Sequence, residues 1–525
     1  MPVAGIGIQL NLSFGRPFMT YTKYTLLMLV AGICLSLPFL ATSYPPATDL
    51  PQHLSQLHLF DQALNARPGA YEINWLAPGN LIYLLLFLIE LVVPIEWAGR
   101  LLALFIVITW VGSIFWIARA RNRPAESALL ASLLVFNFCF YWGFLNFQLG
   151  AALFLLFFLQ LLRPLSFSGW GANLGWLLLL YASHSFWFLA GATVLALSAF
   201  RDWPDFRQIA LRLSVIILPG LLAVAWFVAI EQDRGATAVN ASLQWLTTPG
   251  ERLLPAYLVD AIFGGVQGAL EPFVAACIFC WLLLALVTNR GNLRASVDQP
   301  LFLLACFFAA IVFLAPDRYL NSIFLARRFT PIAVVLLLLA LPAPARVNAW
   351  LRGGYSVAVL LLFVTGTAFS WHKYERSELT GLEEALDAIP AGAGGLLGLE
   401  YIKDSTYIKG RPFLQLFSYG QAYRGAELNF SFAEHGSSLV SYAPDWHSSW
   451  TGGLEWYPER VTAGDLCQFD YVLINAESAA HDHYAGLPYL RALTPEGRWR
   501  LYAVQRNVSP QKSAEPVACG RRLTD

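Results

Sequence analysis

Tyr24-Thr-Leu-Leu-Met-Leu-Val-Ala-Gly-Ile-Cys-Leu-Ser-Leu-Pro-Phe-Leu-Ala-Thr42 runs, after Ser43, into Tyr44-Pro-Pro-Ala-Thr-Asp49-Leu-Pro-Gln-His53-Leu-Ser-Gln-Leu-His58. The first stretch carries no charge and, at about 1.5 Å per helical residue, is long enough to cross the roughly 30 Å hydrocarbon core of a bilayer. The second breaks at Pro45-Pro46 and turns polar at once. An apolar helix ending in such a loop reads as a membrane span with a polar segment at its far surface. Arg16 and Lys23 precede the run and no small-residue cleavage site follows it cleanly. The segment is therefore expected to stay as a signal anchor with a cytoplasmic N-terminus.

Working outward, the whole chain shares this character. Of its 525 residues 57% are hydrophobic and 13% charged, and Lys+Arg equals Asp+Glu at 34 each; the mean hydropathy is +0.54. The balance and the lack of a long basic block exclude a nucleic-acid partner and point to membrane lipid as the solvent for most of the chain. Further apolar runs occupy 79–93, 98–118, 126–142, 147–162, 172–184, 186–200, 212–230, 270–288, 299–316, 329–343 and 354–371, making twelve candidates with the first. The basic clusters Arg119/Arg121/Arg123, Arg201/Arg207/Arg212, Arg290/Arg294 and Arg346/Arg352 should all face the cytoplasm. They do so if Leu81 to Val93 lies along the interface, which predicts about eleven spans and an external C-terminus. Reading 172–200 as one kinked helix and letting 79–93 cross reaches the same C-terminal side but strands Arg119, Arg121 and Arg123 outside. The preferred topology puts Asp49 to His58, Tyr141 to Asn146, His184, the loop 231–269 and Asp317 to Arg328 on one outer face.

The fold class expected is a polytopic α-helical membrane domain over 1–371, with a first external loop at 43–78, followed by a C-terminal extracytoplasmic α/β domain over 372–525. In the latter, Glu378 to Ile389 reads as a helix, and Leu396 to Tyr401, Tyr471 to Ile474 and Arg500 to Val504 as strands. Cys467 and Cys519 are the only cysteines outside the apolar runs, and an oxidising compartment would let them pair. Cys34, Cys139, Cys277, Cys280 and Cys306 read as packing residues of spans, and the spacing of Cys277 and Cys280 as coincidental. His481-Asp-His483 has the outline of a metal triplet but reads better as plain surface, with no cysteine nearby.

The strongest chemical signal is Asp49. A carboxylate at the membrane surface can act as general base on a hydroxyl while a lipid-borne substrate stays in the bilayer. His53, four residues on, is expected either to orient that base or to join it as a ligand of a divalent metal. The competing structural reading makes Asp49 a helix N-cap with Pro51 just inside the helix. Arg318, Arg327 and Arg328 are candidates for holding phosphate through paired donors, or for snorkelling at a span end. Trp142 and Asn146 could line a sugar site or an aromatic belt. His184, between two serines in an apolar stretch, needs a polar partner, either a lipid phosphate or a neighbouring helix. Trp446, Trp450 and Trp456 suit stacking on carbohydrate.

A first span followed by a short external loop with an acid, many apolar spans of unequal length and a C-terminal external α/β domain together resemble the C-type (GT-C) polytopic membrane glycosyltransferases. The polyprenyl-phosphate-sugar-dependent bacterial members are the most similar. Asp-Leu-Pro-Gln-His differs from the Asp-Glu pair of the protein mannosyltransferases, and no Trp-Trp-Asp of the oligosaccharyltransferases occurs. The resemblance implies a bacterial inner-membrane enzyme with Asp49 as catalytic base and a polyprenyl-phosphate-linked sugar as donor. Its acceptor would be an envelope glycan, lipid or protein on the extracytoplasmic face, and inversion at the sugar is implied by the superfamily alone. A transporter or flippase, which should carry paired repeats that are not found here, and a non-catalytic envelope-assembly protein are the alternatives.

Overall fold

The computed structural model describes residues 18–67, 69–163, 167–200, 205–233, 243–319 and 322–506. Arg16, Arg201 and Cys519 lie outside the described residues, as does part of the loop 231–269. In chain order the helices of the first 378 residues are α1 (Phe18–Ser36), α2 (Leu50–Asp61), α3 (Leu81–Glu90), α4 (Ile95–Ala120), α5 (Ala125–Ser132), α6 (Phe138–Tyr141), α7 (Leu145–Leu161), α8 (Phe167–Ser183) and α9 (Ser185–Ala199). Then come α10 (Phe206–Ser214), α11 (Ile217–Asp233), α12 (Pro255–Ile262), α13 (Leu270–Thr288), α14 (Leu293–Ser296), α15 (Gln299–Leu314), α16 (Thr330–Ala340) and α17 (Ala349–Glu378). Prolines within them (Pro51, Pro219, Pro255, Pro272, Pro300 and Pro331) sit in first turns, where the missing N–H has no intrahelical partner to lose.

Among the described residues four helices are long and apolar enough to cross a membrane: Thr22–Leu40, Ile95–Ala120, Leu270–Thr288 and Ala349–Glu378. A fifth is added if the bent pair Phe206–Ser214 and Ile217–Ala229 counts as one. Leu81–Glu90, Ala125–Tyr141, Leu145–Leu161, Ser185–Ala199 and Gln299–Leu314 are shorter apolar helices. At ten residues α3 is about 15 Å long, half a bilayer core. The stretch 172–200 is broken at His184, whose backbone is extended, and α8 and α9 fold back on each other, with Leu177 and Leu180 against Gly191.

Hydrogen bonds and ion pairs sort the loops to two ends of the bundle. At one end Lys23 pairs with Glu126 at 2.7 Å, Arg121 with Asp298 at 2.9 Å, and the Arg123 guanidinium donates to the carbonyls of Ser296, Leu339 and Ala340. Three of the basic loops thus gather together. At the other end lie α2, α3, the turn at Tyr141–Gly143, His184 and the C-terminal domain.

The helix α17 is 30 residues long, and Trp371, fully buried, lies inside it. No linker separates the two parts at 371/372, because this helix continues through the expected boundary. The expected helix Glu378 to Ile389 is interrupted: Gly381, at φ +83°, starts the separate α18 (Leu382–Asp387). Strands follow as β2 (Gly395–Glu400), β3 (Glu427–Leu428), β4 (Val440–Tyr442), β5 (Tyr471–Asn475), β6 (Leu490–Ala492) and β7 (Trp499–Val504), β1 being Tyr71–Ile73 of the first loop. Five form one sheet in the order β3-β2-β5-β7-β6, parallel among the first three and antiparallel thereafter. The remaining pair, β1 and β4, is antiparallel with Tyr71 opposite Tyr442, so the first loop adds a strand to the C-terminal domain. Cys467 is disulfide-bonded, while the five span cysteines are free.

Helix α2 is the piece both parts share. The Gln52 amide, fully buried, donates to Gln415, Ser418 and the Phe430 carbonyl, and its oxygen accepts from the Phe432 N–H. The Gln56 oxygen accepts from the Val440 N–H, and Ser55 donates to the Ser418 carbonyl. Gln52→Leu would strand these buried groups and is expected to cost about 2 kcal/mol, read as a lower melting temperature of the detergent-purified chain.

Candidate active site

The site is built on a turn that interrupts a helix. Asn137 stops the run Ala125–Val135 by accepting from the Cys139 and Phe140 N–H groups, and its amide donates to Gln148 of α7. Gln148 in turn donates to the Val135 carbonyl. The short α6 so capped ends at Trp142 and Gly143. Gly143, at φ +76°, lies so close to Asp49 that a Cβ there would sit 2.4 Å from the Asp49 nitrogen. The Thr48 and Asp49 N–H groups donate to the carbonyls of Tyr141 and Trp142 at 3.0 and 3.3 Å. The acid is held by its backbone against a rigid turn.

Asp49 occupies the N-cap position of α2, but its side chain accepts no capping hydrogen bond, which overturns the cap reading. The carboxylate instead lines a cavity of about 340 Å³ together with His53, Trp142, Asn146, His184 and Arg328. Six residues from four stretches of sequence are thus brought together. Burial pushes the Asp49 carboxyl up to about 7, with the charge of Arg328 pulling it partly back.

Arg328 belongs to a single 3-10 turn, Arg327–Phe329, at the start of α16. Its guanidinium lies 3.6 Å over the Phe144 ring, and its Nε donates to the Ile323 carbonyl at 3.1 Å. That leaves the terminal nitrogens for the cavity, and burial lowers this group to about 10. The preceding turn is strained: Phe324 has φ +56°, a costly conformation for a side chain with a Cβ, and is held by Trp142 at 4.9 Å and Phe138 at 5.1 Å. The His184 Nδ1 accepts from the Phe186 N–H at 3.1 Å. Its proton is therefore on Nε2, which makes the ring a neutral donor at the cavity wall. The site thus offers one poised carboxylate, one arginine and one neutral N–H.

His53 does neither job expected of it. Its Nδ1 accepts from the Tyr83 hydroxyl at 3.0 Å and its Nε2 donates to the Gly143 carbonyl at 3.2 Å. With both nitrogens engaged it neither orients the Asp49 carboxylate nor ligates a metal, and burial lowers its pKa to about 4, keeping it neutral. It ties α2 to α3 and to the Gly143 turn. Among the described residues there is no group of three or more His, Cys, Asp or Glu placed to hold a metal ion.

Two of the three candidate arginines are elsewhere. Arg318 is exposed, its backbone paired with Gln244, and Arg327 turns the opposite way from Arg328, 4.0 Å over Phe138 and toward Tyr257. Consecutive residues of a 3-10 turn point about 120° apart, so only one of the pair can enter the cavity. Asp317 is structural: it accepts from the Leu246 and Thr247 N–H groups and from Arg252 at 2.9 Å. His481 is buried, not surface, with its ring nitrogens bonded to the Tyr502 hydroxyl and the Arg498 carbonyl. Of the three tryptophans, Trp456 lines the cavity, Trp446 stacks on Tyr442 and Trp450 donates to the Asn429 carbonyl.

The wall that sequence reasoning missed comes from Tyr83 of α3 and, in the C-terminal domain, from Gln415, Phe430, Phe432 and His435. Nothing in their local sequence marks them. They reach the cavity because α2 docks onto the domain.

No family model matches the chain, and no curated protein matches it. Among solved structures it is similar to the single-particle cryo-EM structure of the arabinofuranosyltransferase AftD from Mycobacteria. The identity is 14% and the TM-score 0.41, over 92% of this chain and 41% of that one. The chain therefore spans less than half the length of that protein.

Proposed function

We propose that the chain is a membrane glycosyltransferase that moves a sugar from a polyprenyl-phosphate-linked donor to a hydroxyl of an envelope acceptor on the extracytoplasmic face. The observation that carries this reading is the uncapped Asp49 carboxylate, poised near neutrality, in one cavity with the terminal nitrogens of Arg328. A base and a phosphate-binding cation in one small cavity at the surface end of a helical bundle suit attack by a hydroxyl on a lipid-phosphate sugar. Asp49 takes the acceptor proton as the hydroxyl oxygen bonds to the anomeric carbon. The bond from that carbon to the phosphate oxygen breaks on the opposite side, inverting the centre, and Arg328 with the His184 N–H stabilises the departing phosphate. In this reading Asn146 and Trp142 contact the sugar, and the chain passes between the two ends of its bundle about eleven times, the shorter helices crossing inside a bundle that shields their ends.

The experiment is transfer of radiolabelled sugar from a panel of polyprenyl-phosphate donors in membranes carrying the chain. Label incorporated above membranes that lack it supports the reading. No incorporation from any donor sinks it. A second expectation concerns pH. A general base works when ionised, so kcat/KM should rise with pH and level off above about 7, the value to which burial moves Asp49. Arg328 holds that value down, so Arg328→Gln should move the midpoint upward and lower kcat/KM at neutral pH about tenfold or more. A variant profile with an unmoved midpoint would separate Arg328 from Asp49.

A further inference from the structure

A second, larger cavity of about 740 Å³ lies on the other side of Tyr83, the one side chain common to its lining and that of the Asp49 cavity. Its walls come from α2, α3 and the stretch between them, with Ile95 of α4, Ala182 of α8, and Leu439 and Ala422 from the C-terminal domain. Most of that wall is apolar, Phe60, Leu84 and Phe87 among it. Around it α3 leaves Leu84, Phe87 and Leu88 exposed, Leu91 and Val92 just past its end are exposed too, and Trp75 is 66% exposed. A ten-residue helix with such a face suits a place in the membrane interface with its apolar side in the acyl region, a placement that would open the cavity to lipid.

Asp61, Glu90, Asn65 and Asn80 line the cavity with His58, and among the described residues no lysine or arginine does; Arg67, whose charge reaches His58, is paired with Glu427. Asp61 is close enough to Glu90 for its charge to add to burial in raising the Glu90 carboxyl. The Asp49 cavity differs in setting a cation, Arg328, beside its one carboxylate. A phosphate would be attracted to one cavity and repelled from the other, while a neutral polyhydroxylated head can donate to carboxylates and amides and stack on Trp75.

We infer that this second cavity binds an amphiphile with an apolar chain and an uncharged, sugar-like head, and that this amphiphile is the acceptor whose hydroxyl reaches Asp49 past Tyr83. The acceptor role rests on the glycosyltransferase reading; the binding does not. It makes the acceptor a membrane-anchored glycoside and the two cavities selective by charge.

The test uses the full chain in phosphatidylcholine nanodiscs with two photoreactive probes of equal chain length, an alkyl glucoside and an alkyl phosphate, each with a diazirine in the chain. The glucoside should label residues within 57–95, be displaced by excess unlabelled alkyl glucoside, and exceed the phosphate probe there at least tenfold. The double variant Asp61→Asn, Glu90→Gln keeps the hydrogen-bonding shapes and removes the charges, so it should raise phosphate labelling severalfold. Equal labelling by both probes in the wild type, or glucoside labelling that is not displaced, overturns the inference. Asp49→Asn should leave the labelling unchanged, because Asp49 lines the other cavity alone. If labelling holds but no donor yields transfer, the amphiphile site stands and the glycosyltransferase reading falls. If transfer occurs and labelling is absent, the reverse is true.

Discussion

Asp49→Asn is expected to lose at least ~10²-fold in sugar transfer, the contribution of a positioned general base, while the protein still folds. Asparagine keeps the shape of the side chain, and no capping hydrogen bond is lost because Asp49 makes none. Its effect on stability has a definite sign. A carboxyl whose pKa is raised on folding adds stability below its unfolded value near 4, and that stability is lost as pH rises through about 7. At pH 8 the wild type carries a partly buried charge that the variant does not, so Asp49→Asn should melt no lower than the wild type there. Transfer assays and melting curves on one preparation read both quantities. A variant that retains wild-type transfer would remove Asp49 from the chemistry, whatever its stability.

Gly143→Ala should cost about as much in rate, for a steric reason. Residue 143 has φ +76°, and an added Cβ would sit 2.4 Å from the Asp49 nitrogen and 2.9 Å from its Cα and Cβ. None of these is the yielding end of a flexible side chain, so the Asp49 backbone must move. The conformation alone costs about 1–2 kcal/mol, and a displacement near 1 Å at a reacting group costs on the order of 10²-fold. The loss should fall mainly on kcat, because the displaced group is the base, with a smaller rise in KM for the donor through the neighbouring Trp142 and through Phe144 under the Arg328 guanidinium. Gly268→Ala is the control: it shares a positive φ of +85° and meets nothing within 4 Å, so it should lower stability slightly and leave kcat alone. Equal kcat in the Gly143 and Gly268 variants would mean that the turn does not set the position of the base.

The apolar runs marked helices because a chain in lipid must satisfy its backbone internally, and composition alone carries that requirement. Local pattern likewise located α3 as an apolar helix too short to cross alone, the break at His184 and the strands at Leu396, Tyr471 and Arg500. Asp49 was legible too, as an acid directly after the first apolar run, with a helix cap and a general base as its two readings. Its state was not. Whether it caps α2 or faces a cavity depends on Gly143, ninety-four residues away by subtraction of their numbers, and on the Asn137–Gln148 bond that shapes the turn. The arginines make the same point: Arg318, Arg327 and Arg328 are equivalent as sequence, and the direction of one 3-10 turn admits Arg328 and turns Arg327 away. His53 looked like the partner of a base at helical spacing, yet Tyr83 and the Gly143 carbonyl occupy both its nitrogens. The sequence by itself determined a helical membrane domain, a C-terminal sheet and the acid that follows the first apolar run, because these follow from polarity and periodicity along the chain. Which side chains share the cavity with that acid was decided by tertiary structure, because α2 docks through Gln52 and Gln56 onto a domain encoded more than three hundred residues later.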